Sequence, residues 1–538
     1  MNDLPIDERL RRTLTRAAPL GPSDAAQITD PEVAARLFDP HNKSFNTLLR
    51  RDLSVLLGRR GSGKTALLNS YKYRPYIDAY DKPEVRDSRS DFRSYEIVID
   101  VVTYKQFDEM QHLVTRDPSV FRPVEALVDD WALLVTDYFF AKLVSGEAEA
   151  GRLTPQIQQL RHYLDQGEDG YRQEVRRQVW GHSLLSKIKA FVHLESAEHA
   201  QHMMPEEALN AAVEHLVAIG KRAVILFDSM DEYDITNASF TRSLGALIRF
   251  ISQFNARQER IKIKLGLPLE IFPEVQRASA NPLKDLVSVD QLKWTAMELA
   301  QIAAHRYRLF LNLNDPDYAL QLSELDLNNR KQVWDFWSKF LPKKQMNRYG
   351  QEEEAMTYIM RHTQLLPRQL LMIVQRIILA SSGQTGGFRE FKSDAITEAI
   401  EGTEPLIANE IMSAFAHVYP FAEEICRPVF ANFPTVFNFD QLEDKWRRKG
   451  RPLIKQRAID FEMPHFGEML VRMGIVGVGH DETDRYFQGS FGYDSLSPAN
   501  IGEGQPLCLH PIFSKHFNSS GNERRKAVIP QGVSIQWV

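Results

Sequence analysis

The chain alternates short unbroken apolar runs with longer stretches in which apolar residues recur every three or four positions. The first kind predicts buried strands and the second predicts helices with one covered face. Leu53–Leu57 is such a run; it ends in a glycine-rich segment, and a helix-like stretch beginning Thr65-Ala66-Leu67-Leu68 follows. Ser94–Val102 predicts the next strand and Ala223–Phe227 another. The latter is fed by a helix that opens at Pro205, carries Ala208, Leu209, Ala212, Val213, Leu216 and Val217 on one face, and ends at Gly220. Ser239–Phe254 is again helical (Leu244, Leu247, Ile248, Ile251). It leads into Ile261–Leu267, whose alternation with Lys262 and Lys264 predicts a strand with one partly wet face. Val287–Val289 is a short further candidate. A helix turning directly into an apolar strand is half of a parallel unit, so the pattern predicts an α/β core: a parallel sheet with helices on both faces.

Elsewhere the periodicity is helical. Residues 1 to about 30 are polar and predict a loosely held arm. Asp30-Pro31 predicts an N-cap and first helical residue, with a helix to about Phe38, and a second short helix is expected near Phe45–Arg50. Val124–Val144, with Trp131, Tyr138 and Phe139, predicts a long amphipathic helix, and the polar stretch 146–182 a surface insertion. From Trp294 the chain is almost wholly helical. Thr295 and Glu298 form a capping box, with Trp294 and Leu299 as a hydrophobic staple, and the helix reaches about Leu311. Further helices are expected over Glu353–Arg361 and from Pro367-Arg368 onward, where Leu370, Leu371, Ile373, Val374, Ile377 and Ile378 share a buried side. Ser381–Gly387 predicts a flexible linker. Helices near Ile411–Val418, Ala422–Phe430, Phe439–Arg448 and Phe466–Met473, then ribbon-like Tyr486–Tyr493 and Leu507–Phe517, suggest a winged helix. The expected organisation is an arm over 1–40, the α/β core over 41–292 with a helical insertion at about 105–204, a helical lid over 293–400, and a winged-helix-like domain over 401–538.

The glycine-rich segment carries the clearest chemistry. Gly58-Arg59-Arg60-Gly61-Ser62-Gly63-Lys64-Thr65 has the G-x-x-x-x-G-K-[ST] spacing of a P-loop. Its glycines let backbone N–H groups close around a polyphosphate, and the positive end of the following helix adds to that anion site. Lys64 then reaches the β- and γ-phosphates and the Thr65 hydroxyl ligates Mg²⁺. Gly58 through Ala66 are therefore candidate nucleotide-binding residues. Asp228 ends the apolar run Ala223–Phe227, the position of a Walker B carboxylate that acts on the Mg²⁺ of such a site. Asp231 and Glu232 follow within one turn, where a carboxylate orients or deprotonates the attacking water. Glu232 is preferred for its longer reach, with Asp231 as the alternative.

Length and composition narrow the class. A chain of 538 residues exceeds one ordinary core. The formal charge of −5 argues against wholesale nucleic-acid coating, though Lys445–Arg457, with its arginines, lysines and Trp446, is a local basic run that could contact DNA phosphates. Cys426 and Cys508 are the only cysteines and fit a reducing cytoplasm without a disulfide framework. No stretch reaches the roughly 18 apolar residues of a membrane span, and the acidic start does not resemble a secretory signal. His182, His193, His199 and His202 lack regular ligand spacing for zinc.

A P-loop, a Walker B-type strand end, a helical region opened by Trp294-Thr295, a Pro367-Arg368 helix and a winged helix occur in this order. That series resembles the STAND-like signalling ATPases and their AAA+ relatives, especially prokaryotic ones associated with defence against phage. The resemblance implies an ATP- and Mg²⁺-dependent switch that assembles when ATP is bound, as a homo-oligomer acting with a separate effector protein. It implies Lys64 and Thr65 as phosphate and Mg²⁺ groups, Asp228 as the metal carboxylate, and Glu232 as the water-activating acid. It also implies Arg368 as the helical-domain contact to nucleotide. The chain departs from the pattern where Pro268 and Leu269 stand in place of a polar sensor, and in the long stretch between the P-loop and Asp228. The alternative is a winged-helix DNA-binding ATPase similar to origin-recognition or loader proteins, or a scaffold that hardly hydrolyses.

Overall fold

The computed structural model describes residues 4–38, 53–81, 96–100, 123–165, 203–228, 238–278, 289–385, 387–457, 459–483, 486–494, 501–520 and 526–533. The chain divides into two compact units. One comprises Lys43–Gly58 and Lys64–Leu292, the other Met1–Asn42, Arg59–Gly63 and Lys293–Val538. They are called here the sheet unit and the C-terminal unit.

The sheet unit is built on β1 (Val55–Gly58), β2 (Glu96–Asp100), β3 (Arg222–Phe227), β4 (Ile261–Pro268) and β5 (Val289–Gln291). All pairings are parallel and the order is β2-β3-β4-β1-β5. Parallel neighbours need long crossovers, and helices supply them: Lys64–Asp81 leaves β1, Pro205–Ala218 enters β3, and Ala238–Arg257 joins β3 to β4. Gly220 adopts φ +67° between helix and strand, as the sequence predicts for a helix stop.

The strand Ile261–Pro268 corrects one expectation. Its alternating lysines do not mark a wet face: Lys264 is 3% exposed. Its ammonium donates to the Leu53 carbonyl, and Lys262 Nζ donates to Asn255 O at 2.6 Å. The buried Lys264 ammonium is tolerated because a backbone oxygen replaces its water, while Lys262 is half-buried. Asn255 ties the same corner, pairing with Ile263 through both its amide groups at 2.8 Å.

The middle of the helix Val124–Glu149 is covered all round rather than amphipathic. Asp137 through Ala141 are consecutive buried residues, which no single helix face can contain. Trp131 donates to Ser243 O at 3.0 Å on the helix Ala238–Arg257. The part of the expected surface insertion that is described also packs inward: Pro155–Asp165 is a helix burying Ile157, Leu160, Tyr163 and Leu164. Tyr163 donates to the buried Asp137 carboxylate at 3.1 Å. The helix expected at Phe45–Arg50 and the histidines His182, His193 and His199 lie outside the described residues, as does His202.

In the C-terminal unit the N-terminal arm is not loose. Leu10, Leu14 and Leu20 are buried, and Arg9 Nη1 pairs with Asp30 Oδ2 at 2.7 Å. Asp30 also caps the helix Pro31–Leu37, accepting from Glu32 N and Val33 N. Arg306 fastens the arm by donating to Leu20 O and Pro22 O at 3.2 and 2.9 Å. The Thr295–Glu298 capping box opens the helix Ala296–Asn314, where Tyr307 stacks on Trp337 and meets Phe340 and Phe391 edge-on or tilted. The hairpin β6 (Lys344–Met346) and β7 (Glu352–Glu354) was not foreseen, and Glu354 caps a helix over Ala355–Met360. The expected linker Ser381–Gly387 is helical as far as Thr385, with Ser381 buried at 1%. The next helix, Ser393–Ala414, contains Pro405 and ends inside the span Ile411–Val418 where a separate helix was expected.

A second sheet closes the unit. Its strands β8 (Val436–Asn438), β9 (Val476–Glu482), β10 (Tyr486–Ser490), β11 (Pro506–Leu509) and β12 (Ala527–Pro530) take the order β12-β10-β9-β11-β8. The helices Ala422–Phe430, Phe439–Lys445 and Met463–Arg472 are interleaved with these strands. Both cysteines are buried and unpaired. None of the described helices is long and apolar enough to cross a membrane.

Candidate functional site

Within the sheet unit, β1 delivers the chain to Gly58 at the carboxyl edge of the sheet, beside Pro268 at the end of β4. Lys64 begins an 18-residue helix, whose first turn leaves backbone N–H groups without intrahelical partners. Lys64 is 6% exposed and its ammonium donates to Gly58 O at 2.9 Å, so the lysine folds back over the start of the loop. Thr65 and Ala66 are half-buried in that first turn.

Asp228 follows β3 directly. Strands lie about 4.8 Å apart, and β4 alone separates β3 from β1, so Asp228 stands on the order of 10 Å across the sheet from Gly58. Gly266 of β4 explains how the carboxylate is accommodated. A Cβ there would lie 2.8 Å from Leu68 Cδ1 and 3.2 Å from Asp228 Oδ1. Asp231 and Glu232 fall outside the described residues. Sequence reasoning passed over Glu270, a carboxylate 4% exposed in the turn just after β4. Its signal is a charged residue inside an otherwise apolar Leu-Glu-Ile-Phe stretch.

The loop tip, Arg59–Gly63, belongs to the C-terminal unit and is gripped by it. Gly61 and Gly63 adopt φ +82° and +90°, the left-handed region that the motif's glycines serve. Arg368 N donates to Gly61 O at 3.4 Å, and the Arg368 Cβ would lie 3.3 Å from a Cβ at Gly61. Trp294 Nε1 donates to Ser62 O at 2.7 Å. The Ser62 hydroxyl is buried without a hydrogen-bond partner among the described residues.

Arg59 does not face outward as a phosphate ligand. It is 5% exposed, donates to Gln364 Oε1 at 2.6 Å, and lies 5.7 and 5.8 Å from the Phe415 and Tyr493 ring centres. Gln364 in turn donates to Met473 O and Gly474 O, the turn between the helix Met463–Arg472 and β9. The Arg59 guanidinium is thus engaged with Gln364 and the two rings, while Arg60 is half-buried. Arg368, expected to meet nucleotide, holds its guanidinium between two carboxylates, Glu410 at 2.8 Å and Asp24 at 3.6 Å.

The basic run Lys445–Arg457 is largely neutralised in place. Arg447 pairs with Glu443 at 2.9 Å, Arg448 with Asp444 at 2.6 Å, Arg451 with Glu462 at 3.1 Å, and Arg457 with Glu424. Lys445 lies over the Phe433 ring, and Trp446 is 1% exposed, stacked on Phe466, so no base can stack on it. Lys449 and Lys455 are exposed.

The chain matches no family model and no curated protein at a significant level.

Proposed function

We propose that the protein is an ATP-binding and ATP-hydrolysing switch whose nucleotide state governs its assembly with itself and with a separate effector polypeptide. The observation that carries this reading is the loop itself. A G-x-x-x-x-G-K-T segment sits at the carboxyl edge of a parallel sheet, enters a helix at Lys64, and has its tip held by the C-terminal unit. The residues fit a polyphosphate. The two left-handed glycines, the buried Ser62 hydroxyl, without a partner among the described residues, and the inward-folded Lys64 are all donors or donor-freeing positions.

In this reading the backbone N–H groups of Gly61–Ala66 and Lys64 bind the phosphates, and Thr65 with Asp228 would hold Mg²⁺. Bound ATP·Mg²⁺ supplies a phosphoryl group ready for transfer to water. Glu232 orients that water and takes its proton, with Asp231 as the alternative. Lys64 leaves the Gly58 carbonyl to meet negative charge. Arg59 converts loop movement into movement of Gln364, and through it of the Met473–Gly474 turn. Defence against phage is the setting that the sequence resemblance implies. The DNA-binding alternative retains only Lys449 and Lys455 as cations of the run not engaged in ion pairs or ring contacts among the described residues.

Hydrolysis by the full chain tests the proposal. Glu232→Gln should keep ATP affinity and lower single-turnover hydrolysis on the order of a hundredfold. Normal turnover in Glu232→Gln with loss in Asp231→Asn would exchange the two acids. No turnover in wild type with or without DNA would favour the scaffold reading.

A further inference from the structure

The C-terminal unit contains a cavity of about 450 Å³ built from other residues than the loop. This size lies within the usual range for small-molecule sites, roughly 300–1,000 Å³. Its wall on one side is the helix Ser393–Ala414, through Ile400, Glu401 and Glu404. On the other are Leu509, Val528 and the short helix Pro511–His516, which contributes Ser514 and Lys515.

Charge and hydrogen bonding in this cavity are unevenly satisfied. At the rim Lys515 is paired with Glu401 at 3.2 Å. Arg361, 5% exposed, is paired with Glu353 at 3.0 Å. Arg348 differs from both. Its two terminal nitrogens donate at 2.8 Å to Ser514 Oγ and to the Tyr349 hydroxyl, and its guanidinium lies 4.9 Å over the Tyr349 ring. No described carboxylate pairs with it. The neutral partners position the fork without answering its charge, as an anion would.

The second unsatisfied group is His362. Its Nδ1 lies 2.6 Å from Glu404 Oε1, and its buried Nε2 has no hydrogen-bond partner among the described residues. A carboxylate accepts only, so Nδ1 carries the proton and Nε2 presents a lone pair. Burial and the nearby Arg361 both disfavour protonation of the ring, leaving it neutral. A buried acceptor without a donor is costly, and a ligand hydroxyl that reaches this atom, which solvent does not touch, would relieve it.

We propose that this cavity binds a small hydroxylated anion, a phosphorylated sugar or a hydroxy acid, with its anionic group on Arg348 and a hydroxyl donating to His362 Nε2. Such a ligand would join Arg348, between β6 and β7, to His362, which follows the helix Ala355–Met360. The assignment does not rest on nucleotide binding at the loop.

Calorimetric titration of the full-length protein with ribose 5-phosphate and, separately, with gluconate tests it, in wild type and in Lys64→Ala. Saturable binding of one probe in both backgrounds is expected, and which probe binds distinguishes phosphate from carboxylate recognition. Arg348→Ala, at an exposed position, should weaken that binding at least about tenfold, and Arg348→Lys less. His362→Gln should weaken it about fivefold, since the amide re-satisfies Glu404 but misplaces the acceptor. Failure of both probes to saturate below about 10 mM would overturn the proposal. So would an affinity unchanged in Arg348→Ala, or binding that vanishes in Lys64→Ala, which would place the anion in the loop.

Discussion

Arg368 has a charge already answered by Glu410 and Asp24, so a nucleotide that recruits it must first compete with them. Glu410→Gln removes the nearer carboxylate while keeping a side chain of similar size. ATP affinity should then rise about threefold to tenfold, because half-exposed ion pairs are worth on the order of 1 kcal/mol. An unchanged affinity would remove Arg368 from the nucleotide's reach. A second residue-scale consequence concerns pH. Burial, with His362, Arg59 and Arg361 nearby, holds the His510 imidazole well below its ordinary value, and His362 is lowered mainly by burial. Both rings are neutral when folded and titrate near 6.5 when unfolded, so the unfolded chain binds more protons below that pH. Their stabilising contribution is complete above pH 6.5 and is lost as pH falls towards the folded values. The slope is up to about 1.4 kcal/mol per pH unit for each ring. The depressed carboxyls of Asp30 and Asp315 lose their contribution only below about pH 4, outside this window. Urea midpoints should therefore fall between pH 7 and 5.5, less so in His510→Asn, which preserves the cap on Ile512 N. A flat wild-type profile would show these rings protonate freely in the folded protein.

At the scale of elements, the second sheet shows how closely glycines and large side chains are matched. Gly479 of β9 and Gly489 of β10 are register partners. A Cβ at Gly479 would fall 2.2 Å from Phe487 Cζ, and one at Gly489 would fall 2.3 Å from Cys508 Sγ. Gly489→Ala should cost about 1–3 kcal/mol by overpacking, read as a lower urea midpoint. Adding Cys508→Ala should recover part of that loss, whereas simple additivity would contradict the contact. The ribbon was legible in the sequence but β12 was not, since Ala-Val-Ile-Pro is too short to announce itself. Legibility followed locality. The Thr295–Glu298 box and the Pro205 helix are local signals and reappear in the structure. The lysines of β4 misled because their partners, carbonyls of Leu53 and Asn255, are invisible in the alternation. Ser381–Gly387 misled because packing overrides the low helix propensity of glycine and serine. In the candidate site, the spacing of Gly58–Thr65 is a local signal, but the Arg59–Gln364 bond spans 305 residues and a lone glutamine before Leu-Leu-Pro carries no period. Glu270 was legible only as an oddity.

At the scale of the whole molecule, the loop is shared between units: Gly58 and Lys64 belong to the sheet unit, and Arg59–Gly63 to the C-terminal unit. Arg59→Ala should leave the phosphate-binding backbone intact but sever the tie to Gln364. ATP would then still bind while the ATP-induced change in native mass is lost; retention of that change would show that coupling runs elsewhere. All of this depends on the loop taking ATP. Calorimetric titration of wild type and Lys64→Ala with ATP, in the presence and absence of Mg²⁺, measures that most directly. Wild type should bind one ATP per chain with Mg²⁺-dependent affinity, and Lys64→Ala should lose at least about a hundredfold. Equal ATP affinity in the two proteins would contradict the account.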